Sequence, residues 1–186
     1  MVRQYSFHFS FDPIPPNLLR NRHALIVMKD AFGNYVLGRK NIYPKGMFRF
    51  VGGGIKNGED PVVGAQRELF EELGLCVLAK KLHQLAEIHA EIISKDTKVL
   101  FITYLFFTDI GNTKLKPSDD LDGIDHLTVE EMHKLIQKYT HLSSDLVVVK
   151  QTNSIKESFR WSDYGAFYSQ VHKIGLELTE NISTGE

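Results

Sequence analysis

The sequence predicts an α+β fold, a mixed sheet covered by helices, on three observations. Segments with strand length and strand alternation outnumber segments with helical periodicity. The helical segments enter between groups of strands rather than after each strand, which disfavours a doubly wound sheet. One helix, after the run Gly52-Gly53-Gly54, is punctuated at both ends and crowds acids onto one face. At 186 residues the chain fits one domain with a sizeable core, expected to span 1–186.

Residues 5–11 alternate aromatic and polar side chains as a strand does, and Asp12-Pro13-Ile14-Pro15-Pro16 stops them, giving residues 1–20 a strand and a stiff connector. Residues 23–28 and 35–40 read as two strands, joined by a loop whose Asp30, Gly33 and Asn34 suit a hairpin. An exposed loop with Pro44 and Gly46 follows, then a short strand at 48–51 that runs into the glycines. In the next helix Asp60 suits the N-cap, Pro61 the first position and Gly74 the stop. Residues 82–94 and 97–108 look like two long strands with Lys95-Asp96 at the tip, and 111–122 form a polar loop. Thr128 and Glu131 make a capping box for a helix to Tyr139. Residues 144–152 suit a strand or a short helix. Ser162 or Asp163 suits the cap of a final helix to Leu178, leaving 179–186 as a frayed tail.

Bulk properties exclude several classes. With 42% hydrophobic and 24% charged residues and a formal net charge of -1, neither nucleic acid nor an anionic membrane is an expected partner. No apolar run reaches the roughly 20 residues of a membrane helix, and the N-terminus lacks a signal-peptide core, so a cytoplasmic location is expected. The single cysteine, Cys76, allows no intrachain disulfide and no cysteine zinc cluster, and is expected as a small buried residue.

The acidic helix carries the functional signal. At about 100° per residue, Glu68, Glu71 and Glu72 share roughly a third of its circumference, opposite Val62, Ala65, Leu69 and Leu73. Like charges three or four apart destabilise a helix, and exposed acidic faces ordinarily carry compensating lysines. Here Arg67 is the nearby cation. Glu59 can fold back toward the patch and pair with Arg67 bidentately, and the glycines allow backbone carbonyls to approach closely. A hard divalent metal with oxygen ligands would compensate such a patch.

Gly53, Glu59, Arg67-Glu68-Leu69, Glu71-Glu72 and Gly74-Leu75 together resemble the Nudix box, the signature of the Nudix hydrolases, at all nine defined positions. Seven of these are fixed identities, which random composition would produce on the order of once in 10⁸ trials. Val51 stands where the family often has proline. The resemblance implies an α/β/α sandwich and hydrolysis of a pyrophosphate bond in a nucleoside diphosphate linked to another moiety. It implies magnesium, with manganese as a substitute, held by Glu68, Glu71, Glu72 and the Gly53 carbonyl, and Glu59 supporting Arg67. The general base is either Glu68 or one of Asp119, Asp120 and Asp122 in the polar loop. Arg39, Lys40 and Arg49 are candidate phosphate contacts, and Phe11, Tyr43, Phe48 and Trp161 candidate stacking partners, Phe48 being the nearest to the box in sequence. Trp161 reads first as a core anchor for the last helix, and the histidines as incidental. Two alternatives share the fold: a nucleotide-sugar sensor that does not cleave its ligand, and an enzyme of the isopentenyl diphosphate isomerase type. Cys76, directly after an intact box, is poorly placed for the latter. A homodimer is compatible with the sequence, and the nucleotide and leaving group stay open.

Overall fold

The computed structural model describes residues 2–95, 97–118, 121–150 and 156–182. Strands β1 (Arg3–Ser10), β2 (Arg22–Asp30), β3 (Tyr35–Arg39), β4 (Val51–Gly54), β5 (His83–Ser94), β6 (Thr97–Gly111) and β7 (Gly123–Leu127) form one sheet. Its order is β1-β5-β6-β2-β3-β7, with β4 also paired to β2. β1 is parallel to β5 and β2 to β6, while the other ladders are antiparallel. Helix α1 (Pro61–Leu73) packs on one face, and α2 (Val129–Tyr139) and α3 (Trp161–Thr179) on the other. A hairpin of β8 (Leu146–Lys150) and β9 (Lys156–Arg160) precedes α3. The mixed sheet between helices is the α/β/α arrangement that the sequence pattern predicts.

β2 is central, and its near-continuous apolar run follows from burial on both faces. Leu25 and Val27 join the core beneath α2 and α3, while Ala24, Ile26 and Met28 meet Ala65, Leu69 and Leu73 of α1. α1 is capped as its sequence dictates: Asp60 accepts the backbone N–H of Val62 at 2.8 Å, and Gly74 closes the helix in the left-handed region at φ 64°. After that turn Leu75 and Val77 face the core, so Cys76 points outward and is exposed, against the expectation of burial.

Three elements differ from expectation. The strand expected at 48–51 forms instead over Val51–Gly54, because the glycines themselves pair with β2. At Gly52, with φ 136°, a Cβ would stand 2.1 Å from the Ala24 carbonyl oxygen, so only glycine permits this approach. β7 occupies residues 123–127, between the expected polar loop and α2 and assigned to no element, where a short, polar alternation hides an edge strand. α3 starts at Trp161 with Arg160 at its cap position and no side-chain cap. β9 leads directly into it, and Asp163 accepts the backbone N–H of Asp12 at 3.2 Å instead of capping.

The segment expected to fray from Thr179 is tied at its start. The buried Lys29 ammonium donates to the carbonyls of Thr179 at 2.7 Å and Ile182 at 3.1 Å, neutralising the end of α3. Residues 183–186 lie outside the described residues. Among the described residues no helix is long and apolar enough to cross a membrane.

Candidate active site

Arg67 is the hub of the acidic face. Its Nε and Nη2 each donate to one oxygen of Glu59 at 2.9 Å, the fork pairing that Arg geometry favours. Nη1 donates to Glu68 at 2.6 Å and to Glu71 at 2.9 Å, and Nη2 also reaches the Gly54 carbonyl at 2.8 Å. Glu72 is only 3% exposed and needs partners to be buried. It accepts the Gly52 N–H at 3.0 Å and the Lys40 ammonium at 3.1 Å. One arginine thus fixes Glu59, Glu68 and Glu71 from the helix side, while Gly52 of β4 and Lys40, just past the end of β3, fix Glu72 from the sheet side.

Gly53 makes this closeness workable. A Cβ there would stand 2.4 Å from Glu68 Oε2, in space the carboxylate occupies. Electrostatics separate the acids. The Arg67 hydrogen bonds hold the Glu59 carboxyl down at about 2, against its burial. Burial pushes the Glu68 carboxyl up, although Arg67 pulls the other way. Glu59 is thereby a permanent anion that orients Arg67, and Glu68 has the higher proton affinity. Among the described residues no three acids or histidines are already drawn into a metal cage; Arg67 and Lys40 engage the carboxylates instead. The donors on offer are all hard oxygens, with four carboxylates against these two cations, and that set suits a divalent metal such as magnesium.

Two cavities meet across β4. An open cleft of about 770 Å³ lies over the acidic face, with Arg20 and Lys56 on its rim. A second, of about 320 Å³, lies on the other side and is walled by Tyr43, Phe159, Trp161, Tyr164 and Tyr168 around Arg49. Both share Arg20, Lys40, Gly52, Gly53, Gly54 and Glu72.

The cations singled out from sequence are distributed unequally. Lys40 sits at the junction of the cavities, and Arg49 lines the aromatic one. Arg39 turns to Asp125 at 3.5 Å on the edge strand. Phe48 packs at the margin of the α2–α3 core, and its carbonyl accepts the Tyr139 hydroxyl at 2.6 Å. Asp119 and Asp120 lie outside the described residues, whereas Asp122 is exposed with its N–H on the Arg39 carbonyl at 2.8 Å. Their loop starts at the box: Ser118 donates through Oγ to the Glu71 carbonyl at 2.5 Å and through N–H to the Glu72 carbonyl at 2.9 Å. Arg20, Arg22, Ser118, Tyr164 and Tyr168 are absent from any motif; only the aromatic spacing 161, 164, 168 hinted at one helix face.

The mixed α/β/α sandwich sets a glycine strand against an Arg-bound acidic helix, so that three box glutamates line one cleft. The model of the NUDIX domain matches residues 19–148, most of the chain, and the chain belongs to the Nudix family. No curated protein matches the sequence. Among solved structures, a MutT/nudix family protein from Enterococcus faecalis is similar with TM-score 0.53 at 11% identity, over 87% of this chain and 62% of that one. This chain therefore spans less than two thirds of that protein's length. The E. coli dihydroneopterin triphosphate pyrophosphohydrolase follows with TM-score 0.51 at 15% identity, over 61% and 84% of the two chains. A MutT protein from Methanosarcina mazei Go1 has TM-score 0.50 at 14% identity, over 82% and 92%. At such identities the likeness is one of fold.

Proposed function

We propose that this protein hydrolyses the pyrophosphate bond of a nucleoside diphosphate linked to a second group, using magnesium, or manganese in its place. One observation carries the reading: Glu68 and Glu71, held by Arg67, and Glu72, held by Lys40, line a cleft that continues, across a glycine strand, into a cation-lined aromatic cavity. Glu68, Glu71, Glu72 and the Gly53 carbonyl would hold the metal, which when bound supplies charge neutralisation at phosphate oxygens and a more acidic water.

The protein's own groups do the remainder. Lys40, at the junction, meets a phosphate oxygen while keeping its hold on Glu72. Glu59 fixes Arg67, and Arg67 sets the angle from which Glu68 and Glu71 face the cleft. We assign Glu68, which faces the cleft and whose carboxyl burial pushes up while Arg67 pulls it down, the proton of the attacking water. Cleavage leaves two phosphorylated fragments. The acting unit is one domain over 1–186, a cytoplasmic enzyme of small molecules rather than of nucleic acid.

The test is hydrolysis of a panel of nucleoside triphosphates, nucleotide sugars and dinucleoside polyphosphates with magnesium, beside Glu72→Gln. At least one compound is cleaved, and the variant loses about 100-fold or more, at or beyond the upper end of the 10–100-fold typical of outer-shell partners. A panel left wholly intact sinks the hydrolase reading in favour of a sensor. A variant as active as the wild type sinks the role of Glu72.

A further inference from the structure

Most of the rings that wall the aromatic cavity lie beyond the part of the chain that the family match covers. Phe159, Trp161, Tyr164 and Tyr168 all lie beyond residue 148, where the family match ends. They come from β9 and from one face of α3, and they surround a residue of the shared core, Arg49. The Arg49 guanidinium lies 3.9 Å from the ring centre of Tyr168, 4.4 Å from Tyr43, 5.1 Å from Tyr164 and 5.8 Å from Trp161. Ring faces attract a cation but give its N–H groups no in-plane acceptor; beside them the Tyr139 hydroxyl takes one hydrogen bond from a guanidinium that has five N–H groups to give.

Arg49 forms no ion pair among the described residues. An arginine retired to a structural role in a protein interior ordinarily has a carboxylate partner. This one instead lines a cavity whose other charged groups are Arg20, Arg22, Lys40 and Glu72, with Glu72 already engaged by Lys40 and Gly52. The cavity opens onto the same glycine strand and the same Lys40 as the acidic cleft. A ligand with its diphosphate over β4 therefore directs one of its two organic ends into the aromatic chamber. At about 320 Å³ the chamber falls at the lower end of the range of small-ligand pockets.

A guanidinium carries donors only. Held between ring faces, it presents its edge in the plane of any flat group stacked beside those rings, and that edge calls for acceptors. Guanine offers O6 and N7, and uracil offers O4, the oxygen that thymine presents in the same place. Adenine and cytosine put an amino donor at the corresponding position. A donor facing a donor leaves both unpaired in a partly desolvated site, and sites built for a hydrogen bond reject the ligand that cannot make it.

We propose that the aromatic cavity receives the nucleobase of the substrate and that Arg49 selects bases presenting a ring carbonyl, guanine or uracil, over those presenting an amino group, adenine or cytosine. The inference rests on the diphosphate chemistry proposed for the adjoining cleft.

Trp161 is the only tryptophan in the chain and stands in the cavity wall, so its fluorescence reports occupancy without any need for turnover. GDP, UDP, ADP and CDP are titrated into the full-length protein in EDTA, with inorganic pyrophosphate as the probe lacking a base. The expected result is quenching by GDP and UDP at concentrations about tenfold or more below those needed for ADP and CDP, with none from pyrophosphate. In Arg49→Gln the four nucleotides converge to within about threefold, while Arg49→Lys, which keeps the charge and loses the fork, lies between. Equal quenching by all four nucleotides in the wild type overturns the inference, as does quenching by none of them. Because the wild-type series decides by itself, the result stands even if an Arg49 variant does not fold. Selective quenching without hydrolysis of any compound sinks the proposed enzyme activity and leaves the base site standing; hydrolysis of nucleotide sugars without quenching does the reverse.

Discussion

At the scale of single residues, the box is an electrostatic lattice in which each acid has a different job because each has a different partner. Arg67 reaches Glu59, Glu68, Glu71 and the Gly54 carbonyl through three nitrogens. A lysine offers a point charge in place of that fork. Arg67→Lys is therefore expected to reduce hydrolysis by roughly 10–100-fold, the range for partners that orient metal ligands. Steady-state kinetics over a magnesium titration checks this, and an unchanged rate at every concentration contradicts it. Gly53→Ala places a methyl 2.4 Å from Glu68 Oε2, and the carboxylate must move to admit it. Activity is expected to fall at least as far, with the far-UV circular dichroism spectrum retained, since the clash is with one side chain and not with backbone. The grouping of the box acids around one cleft was legible in the sequence because it depends on spacing within one turn-and-helix unit. Arg49's surroundings were not: its cage draws on Tyr43, Trp161, Tyr164 and Tyr168, and residues so distant meet only through packing.

At the scale of elements, local signals worked where the chain satisfies itself and failed where a neighbour decides. α1 starts and stops at residues that cap their own helix, and α2 has its capping box in place. Asp60→Ala removes the acceptor for the N–H groups of Val62 and Val63 and should cost about 1 kcal/mol, within the 0.5–2 observed for such caps. Urea denaturation measures it, and an unshifted midpoint argues against the cap. β4 was misplaced and β7 unread for one reason: a glycine run and a short polar stretch become strands only because β2 and β3 supply their hydrogen bonds. The start of α3 was misplaced because β9, not a capping side chain, delivers the chain into the helix. That strand-to-helix junction also sets Trp161 in the cavity wall, so the feature least visible in the sequence shapes the part of the site that reads the ligand.

At the scale of the whole molecule, the two faces of the sheet do different work. The α1 side holds the acids, and the α2–α3 side holds buried imidazoles that make the fold sensitive to acid. Burial, with Arg49 acting in the same direction, lowers His23 to about 3, and burial lowers His172 to about 4. His172 stacks between Phe50 and Tyr139 with ring centres at 4.5 and 5.0 Å, and its Nε2 has no hydrogen-bond partner among the described residues. Both rings are neutral when folded, and the unfolded chain binds their protons near pH 6.5. Their contribution is thus fully present above that pH and is lost as pH falls toward 4 and 3, by up to about 1.4 kcal/mol per pH unit for each histidine. Glu59 adds to acid lability only below its ordinary range near 4.5 and down to about 2, so the two effects occupy different windows. Thermal midpoints should fall between pH 7 and pH 5, and less steeply in His172→Phe, which keeps the stack. A flat profile over that range contradicts the neutral, buried imidazoles.

The central claim, that the acidic helix breaks a phosphoanhydride with a divalent metal, is tested most directly by phosphorus NMR of a nucleotide sugar such as GDP-mannose or UDP-glucose incubated with the protein. With magnesium the diphosphate signals should give way to two phosphomonoesters, the nucleoside monophosphate and the sugar phosphate, and with EDTA they should persist. Equal cleavage with and without metal, or release of the intact nucleoside diphosphate and a free sugar, would contradict it.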